Sequence, residues 1–326
     1  MGVGGPVRLG ILSTAHINRL VIPMAHASDR VDLIAVASRD QGRADDYARE
    51  WGIERAYGSY DALLEDGDIE AVYISLPNSL HCEWSIRCVD AGKHVLCEKP
   101  MSRHTRDVEE AFDAAERADR ILMEAFMYRH HPQAIRLEQL VSEGAIGELR
   151  LVRSCFSYAL YDPDNIRLRT DVEGGSLMDV GCYCVSGSRL LCGEPEQVFG
   201  EQVIGPSGTD WVFAGTLRFP GDLLAQFDCG TALSERDELE AVGSEGSLFL
   251  DDPWHAISPV IELRRDGRVE RIDLDPVDPY RLELDNFAGA IRGDVEPLLG
   301  REDAVGQARA IEALYRSAAS GEAASL

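Results

Sequence analysis

The residue of this sequence whose type and position best suit a chemical role is Lys99, within the segment Cys97–Pro100. This segment follows a short apolar strand that begins at His94. Proline fixes its own φ and restricts the residue before it, so Lys99 should leave the strand in a defined direction. Ligands of open α/β sheets bind at the carboxyl ends of strands. Lys93 is the only other lysine among 32 basic residues, which favours a role for a compact, titratable amine at position 99.

A nucleotide-binding turn is expected between the first strand, Val7–Leu12, and the first helix. Backbone N–H groups at a helix N-terminus hold a pyrophosphate in such turns. The glycine fingerprint is eroded here, and a plain strand-to-helix turn explains the loop nearly as well. The residues predicted to contact the cofactor in this turn are Gly10, Ser13, Thr14, Ala15, His16 and Ile17.

The end of the second strand indicates which dinucleotide would bind. Ser38 and Arg39 stand where an NAD site usually places a carboxylate for the ribose 2′-hydroxyl. A hydroxyl and a guanidinium suit a 2′-phosphate instead. The sequence therefore predicts NADP, with NAD as a possible substitute. The alternative is a solvated arginine followed by Asp40 as a helix cap.

Two further segments complete the predicted cofactor site. Leu76, Pro77 and Asn78 follow the next long strand and would line the ribose and nicotinamide. His81 opens the following helix, either as a cofactor contact or as a helix-terminus residue without a ligand. Glu98 is included with Lys99 as a cofactor contact.

Length, charge and cysteine content limit the kinds of protein that this chain can be. A chain of 326 residues is long enough for two domains. Its formal net charge of −25 argues against nucleic acid and anionic membranes as partners. No apolar run suits a bilayer span, no secretory signal is apparent, and the eight cysteines lack a disulfide pattern. These features predict a cytoplasmic protein with reduced thiols.

The order of elements predicts the fold. Apolar strands alternate with helices up to residue 126, which is typical of a doubly wound parallel sheet with right-handed crossovers. Successive strand patterns without intervening helices from 197 to 270 predict a mostly antiparallel sheet. The expected fold is α/β, with domains 1–126 and 127–326. The terminal helix 303–317 is a candidate to pack back on the first domain.

Five segments together resemble the Gfo/Idh/MocA oxidoreductases, over nearly the whole chain. They are GILSTAHI, AVYISLPNSLH, CEKPMS, EAFMYRHHPQ and GGSLMDVGCYCVSG. Within that family they are most similar to NADP-dependent D-xylose dehydrogenases and dimeric dihydrodiol dehydrogenases. The resemblance implies an N-terminal Rossmann domain and an open-faced sheet domain that often forms the dimer interface. A homodimer or higher homo-oligomer is therefore expected.

The resemblance also implies roles for three residues. Lys99 would be the active-site lysine, Asp179 would match the acid of an Asp-x-Gly-x-His helix, and Tyr183 would replace the histidine. Residues four apart share a helix face. Tyrosine has an ordinary pKa near 10, and a nearby ammonium would lower it toward that of a useful base. Asp179 would hold a substrate hydroxyl.

Substrate contacts are expected from the segment after the domain junction. The resemblance implies that Tyr128, Arg129 and His130 line the cleft. Phe156, Tyr158 and Tyr161 could supply an apolar face for a sugar ring, but ordinary sheet packing is the favoured explanation for them. Adjacent histidines point apart on an extended chain, so no metal is expected.

The predicted reaction is hydride transfer between NADP and an aldopyranose such as D-xylose. A trans-dihydrodiol substrate, sugar ketone or aldehyde reduction, and a non-catalytic NADP-binding regulator are the alternatives.

Overall fold

The computed structural model describes residues 4–326 and divides into two compact units. The first contains the described residues up to Met127 together with Asp278–Val305; the second contains Tyr128–Val277 and Gly306–Leu326. The sequence predicted a second domain over 127–326, with the terminal helix 303–317 as a candidate to pack back on the first. The difference arises because the chain returns to the first unit after the second sheet is complete, which the order of elements does not reveal.

The first unit is built on a six-stranded parallel sheet. Its strands are β1 (Val7–Leu12), β2 (Val31–Ala37), β3 (Arg55–Tyr57), β4 (Ala71–Ile74), β5 (His94–Glu98) and β6 (Leu122–Ala125). Their order, β3-β2-β1-β4-β5-β6, is that of a doubly wound Rossmann sheet. The predicted α/β class is confirmed. Strand β3 was not predicted, because three half-buried residues form no recognisable apolar run.

Helices connect these strands, and α8 joins the same unit from later in the chain. They are α1 (Asn18–Ala27), α2 (Gln41–Trp51), α3 (Tyr60–Leu64), α4 (His81–Asp90), α5 (Thr105–Ala118) and α8 (Pro279–Ile291). Ser59 caps α3 by accepting a hydrogen bond from the Ala62 amide. Gly92, with φ of 79°, turns the chain after α4 in a conformation that favours glycine.

The second unit carries a nine-stranded, mostly antiparallel sheet. Its strands are β7 (Leu149–Ala159), β8 (Gln197–Ile204), β9 (Asp210–Phe219), β10 (Leu223–Gly230), β11 (Ala232–Gly243), β12 (Ser247–Leu250), β13 (Val260–Arg265), β14 (Arg268–Asp273) and β15 (Ala324–Ser325). They follow the order β14-β13-β12-β11-β7-β10-β9-β8-β15, in which the pairing of β7 with β10 is parallel. The predicted antiparallel sheet is confirmed.

One face of this sheet packs on helices, and the other is open. The helical elements are α6 (Pro132–Ser142), a π-helical turn (Leu177–Gly181), α7 (Cys182–Cys192) and α9 (Arg301–Ser320). Buried Phe213 of β9 faces the Tyr315 ring at 5.7 Å, whereas its neighbour Ala214 is exposed. This alternation is that of a sheet with one buried face.

The terminal helix α9 is divided between the two units, its first turn belonging to the first unit. The part of α9 from Gly306 onward packs in the second unit, because its apolar face meets β9. The helix that returns to the first unit is α8, where Ser28 donates a hydrogen bond to Asp285 at 2.6 Å.

No helix within residues 4–326 has the length and hydrophobicity needed to span a membrane. All eight cysteines lie within the described range, none of them forms a disulfide bond there, and seven of them are buried.

Candidate active site

The turn between β1 and α1 depends on an unusual serine. Ser13 has φ of 102°, a region that residues other than glycine rarely adopt. Its hydroxyl donates to the Ser75 carbonyl at 2.9 Å and accepts from the Ala15 amide at 3.1 Å. The Asn18 side chain donates to the Ser13 carbonyl at 2.9 Å. These bonds explain how serine can occupy a glycine position, because they offset the cost of the backbone conformation.

The other residues predicted for this turn have different environments. Gly10 lies within β1, and a Cβ there would approach the Leu63 side chain at 3.1 Å, so this glycine permits close packing of α3. Thr14, Ala15 and Ile17 are half-buried, and His16 is exposed. Helix α1 has no acidic residue in its first turn. A short turn of small residues leading to a helix N-terminus fits a pyrophosphate.

The end of β2 combines a buried hydroxyl with exposed positive charge. Ser38 is buried, and its amide donates to the Tyr57 carbonyl at 2.9 Å. Arg39 is exposed. The Asp40 carboxylate caps α2 through the Arg43 amide at 2.8 Å, so it is committed to the helix. Burial raises the pKa of Tyr60, and the positive charges of Arg39 and Arg43 oppose that rise, so both charges lie near this ring. This end of β2 fits a 2′-phosphate.

His81 links two loops of the first unit. It is buried, with Nδ1 2.9 Å from the Pro100 carbonyl and Nε2 2.8 Å from the Leu76 carbonyl. Burial lowers its pKa and favours the neutral ring. Both nitrogens face the protein backbone, so His81 positions the loop after β4, which contains half-buried Pro77 and Asn78.

Lys99 follows a buried carboxylate at the end of β5. Glu98 accepts a hydrogen bond from the Tyr73 hydroxyl at 2.5 Å and from the Lys99 amide at 3.3 Å. Lys99 itself is half-buried, and the Lys99–Pro100 peptide bond is cis. The structure therefore places Lys99 at the carboxyl end of a central strand, as its sequence position indicates.

A second buried acid lies on α8 in the same unit. Glu283 is 1% exposed, and its Oε1 has no hydrogen-bond partner among the described residues. Burial, with a further contribution from the charge of Glu98, raises the pKa of Glu283 well above its ordinary value. The folded protein therefore favours the protonated Glu283 carboxyl more than the unfolded chain does. Burial raises the pKa of Tyr280, on the same helix, and the charges of Glu98 and Glu283 raise it further.

The raised pKa of Glu283 makes the free energy of unfolding depend on pH. As pH rises above the ordinary glutamate value of 4.5, the unfolded chain loses a proton that the folded chain keeps, so stability falls. We expect Glu283→Gln to remove this loss, which is at most about 1.4 kcal/mol per pH unit. Urea unfolding between pH 5 and pH 8 measures it. Exposed Glu50→Gln is the control, and parallel pH curves for wild type and Glu283→Gln would contradict the prediction.

The partners of Asp179 in the second unit include a tyrosine and an arginine. Its Oδ2 accepts from the Tyr158 hydroxyl at 2.5 Å, and its Oδ1 accepts from Arg167 Nε at 2.7 Å. Its side chain is 12% exposed. The arginine fixes its orientation.

The helix carrying Asp179 begins with a π-helical turn and continues as the regular α-helix α7. Its start is anchored by Asp210, which accepts from the Ser176 hydroxyl at 2.8 Å and the Leu177 amide at 2.7 Å. Gly175 has φ of 132°, and a Cβ there would lie 2.0 Å from Asp210 Oδ1. The Gly-Gly-Ser start of this helix is therefore required by close packing. π-Helical turns occur often at functional sites.

Tyr183 lies within a cluster of aromatic rings. Its centroid is 5.4 Å from Phe156, 5.8 Å from Tyr128 and 5.9 Å from Trp254. The side chain is 6% exposed. Helix α7 supplies Tyr183 and strand β7 supplies Phe156, so rigid elements hold the phenol ring. Asp179 and Tyr183 are on the same helical segment, and Lys99 belongs to the other unit.

The segment after the junction contributes mainly packing. Tyr128 is buried, and its hydroxyl donates to Ser186 at 2.7 Å. Burial, with a further contribution from the charge of Arg129, lowers the pKa of His130 to about 3, so this ring is neutral near pH 7. His131 Nδ1 caps α6 through the Gln133 amide at 3.0 Å. Arg129 is half-buried.

Sequence reasoning missed three partners of these residues. Tyr158 is two positions from Phe156, and strand alternation could have placed both on one sheet face. Arg167 lies in an irregular stretch and Trp254 in a turn, where no periodicity signals a contact. The expected role of Tyr158 in sheet packing omits its hydrogen bond to Asp179.

Comparison with protein families gives two matches that together cover most of the chain. Residues 7–126 match the oxidoreductase family with an NAD-binding Rossmann fold, GFO_IDH_MocA. Residues 134–249 match the GFO/IDH/MocA C-terminal domain.

Three known proteins resemble the whole chain. D-xylose 1-dehydrogenase (NADP(+)) 2 of Haloferax volcanii is 41% identical over 97% of this chain and 99% of its own length. The structure of aldose–aldose oxidoreductase from Caulobacter crescentus, complexed with glycerol, gives a TM-score of 0.92 at 28% identity and covers 98% and 100% of the two chains. A 3-ketoreductase from Actinomadura kijaniata, in complex with NADP and TDP-benzene, gives 0.91 at 31% identity, covering 96% and 98%.

Proposed function

This chain belongs to the Gfo/Idh/MocA oxidoreductase family, and on that premise we propose that it oxidises a hydroxyl carbon of an aldopyranose, such as D-xylose, with NADP. The observation that carries the proposal is the placement of Asp179 and Tyr183 on one helix, with Asp179 oriented by Tyr158 and Arg167. An oriented carboxylate and a phenol suit the binding and deprotonation of an alcohol. The similarity to a D-xylose dehydrogenase supports the sugar class.

NADP is the proposed cofactor because the first unit offers positive charge where the 2′-phosphate would bind. Arg39 is exposed, Arg43 lies close to the same ring of Tyr60, and the nearby Asp40 carboxylate is occupied as a helix cap. The Ser13 turn and the N-terminus of α1 would hold the pyrophosphate. An NADP complex of the similar 3-ketoreductase supports this assignment.

We expect Arg39→Ala to weaken NADP binding by about tenfold or more and to leave NAD binding nearly unchanged, because a charge-assisted bond to phosphate is lost. Fluorescence titration of the reduced cofactors measures both affinities. Arg49→Ala, on the exposed surface of α2, is the matched control. Equal losses for the two cofactors would show that Arg39 does not read the 2′-phosphate.

The proposed roles of the chain's own groups follow from their chemistry. Bound NADP supplies the hydride acceptor. Asp179 accepts a hydrogen bond from the substrate and fixes its orientation, while Tyr183, ionised to its phenolate, takes the hydroxyl proton and becomes a neutral phenol. The Lys99 ammonium stabilises the negative charge that accompanies this proton transfer. The surrounding rings, including Phe156 and Trp254, limit the access of water to Tyr183.

Related structures support the choice of these two residues. The 3-ketoreductase from Actinomadura kijaniata has been solved with one tyrosine changed to phenylalanine and with one lysine changed to alanine or glutamate. Those two positions are separated by the same number of residues as Lys99 and Tyr183.

A substrate panel tests the proposed function. The purified chain would be mixed with NADP and a series of aldopyranoses, and with trans-dihydrodiols as the alternative class, while reduced nicotinamide is followed by absorbance. Turnover of an aldopyranose supports the proposal. NADP binding without turnover of any sugar or diol, in either direction, would instead favour a regulator.

We propose that the chain forms homo-oligomers through the open face of the second sheet. On β8, Val198 is buried on the helical face, whereas Phe199 and Val203 are 38% and 61% exposed on the opposite face. Exposed apolar side chains on a flat sheet favour association. Light scattering of the purified chain gives its mass, and a monomer would contradict this proposal.

A further inference from the structure

A histidine–aspartate pair lies beside the aromatic cluster in the second unit. His255 Nδ1 is 2.7 Å from Asp237 Oδ2, so the carboxylate fixes the orientation of the imidazole. The His255 side chain is 45% exposed and that of Asp237 only 16%. The other Asp237 oxygen, Oδ1, is buried without a hydrogen-bond partner in the described part of the chain. None of the proposed catalytic steps uses this pair.

Sheet register places the pair on the same face as the proposed catalytic helix. Asp237 of β11 is directly opposite Phe156 of β7, so the two side chains project from one face. The Phe156 ring contacts Tyr183 edge-on at 5.4 Å and contacts His255 edge-on at the same distance. One aromatic ring therefore separates the phenol of Tyr183 from the imidazole of His255.

The turn that presents His255 is rigid. The Asp252 carboxylate accepts hydrogen bonds from four successive backbone amides, those of His255, Ala256, Ile257 and Ser258. Ala256 adopts φ of 51°, which these bonds stabilise. Because the Asp252 oxygens are committed to the turn, we interpret this residue as an anchor and not as a metal ligand.

We propose that His255, oriented by Asp237, is a substrate-binding residue that contacts a hydroxyl remote from the reacting carbon. The proposal rests on the proposed function, in which Tyr183 contacts the reacting hydroxyl. A pyranose lying along the Phe156 ring would present its reacting hydroxyl to Tyr183 and a distal hydroxyl to His255. Imidazole both donates and accepts, so it suits a sugar hydroxyl. The pair would thus select polyhydroxylated rings over apolar diols.

Kinetics of His255→Ala test this role. We expect KM for the aldopyranose to rise about tenfold, because one oriented hydrogen bond is lost, while kcat changes less than threefold. A deoxy analogue that lacks the distal hydroxyl should bind wild type and variant alike. Asp237→Asn should raise KM in the same direction, and His255→Gln should restore part of the affinity. The exposed neighbour, changed as Ile257→Ala, is the control.

The outcomes separate this inference from the proposed function. Turnover by wild type with an unchanged KM in His255→Ala overturns the inference alone. A large fall in kcat with unchanged KM would also overturn it, because it would place the histidine in the proton transfer. If wild type turns over no sugar, the proposed function fails, and saturation-transfer NMR with D-xylose and NADP decides the inference. Equal signals from wild type and His255→Ala, or none from either, would overturn it.

Discussion

Replacing Tyr183 with phenylalanine is expected to lower kcat for the aldopyranose at least about a thousandfold, within the range that general acid–base catalysis contributes. The variant keeps the ring and therefore its contacts with Phe156 and Trp254, so only the hydroxyl is lost. NADP affinity should be unchanged, because the residues proposed to hold the cofactor belong to the first unit. Absorbance of reduced nicotinamide gives kcat, and fluorescence titration gives the cofactor affinity.

Tyr161→Phe is the matched control for this substitution. Tyr161 is 90% exposed, so loss of its hydroxyl should leave kcat and Tm as in wild type. Comparison of Tm values shows whether each variant is folded. A kcat for Tyr183→Phe within threefold of wild type would exclude Tyr183 as the proton acceptor.

Replacing Lys99 with methionine is expected to cause the second large loss of kcat. Methionine has similar length without charge, so it removes the stabilisation of negative charge and should lower kcat by about a hundredfold or more. Lys93, the only other lysine, provides a direct contrast, because its Nζ donates to the carbonyls of Asp66 and Ile69. Lys93→Met should therefore lower Tm and leave kcat of the folded protein nearly unchanged.

A double-mutant cycle tests whether the lysine and the tyrosine serve one step. Groups that act as a unit give strongly non-additive losses. The combined variant, Lys99→Met with Tyr183→Phe, should then be about as slow as Tyr183→Phe alone. Losses that multiply would assign Lys99 to a separate step, such as cofactor binding.

The sequence predicts the elements of this protein better than the contacts between them. Apolar runs and caps identify β1, β2 and the helix that Ser59 begins, because these signals are local. The φ of Ser13 is not predictable in this way, since its hydroxyl bonds to Ser75, which lies 62 positions away. Likewise, an amphipathic pattern locates α8 but does not indicate which unit it joins.

The proposed site shows the same division. Lys99, Asp179 and Tyr183 stand out because their motifs resemble a family, and strand alternation relates Tyr158 to Phe156. Arg167 and His255 come from irregular segments, where neither periodicity nor a motif points to a partner. Their importance appears only when distances to Asp179 and to Phe156 are known.

The π-helical turn at Leu177–Gly181 makes this helix sensitive to changes in length rather than in residue type. A π-helical turn contains one more residue than an α-helical turn, and an α-helix rotates by about 100° per residue. Deleting one residue here would leave Cys182–Cys192 helical and Tyr183 among its aromatic neighbours. It would rotate Asp179 away from Arg167. In this region a single-residue deletion would therefore separate the two proposed catalytic groups while the fold survives.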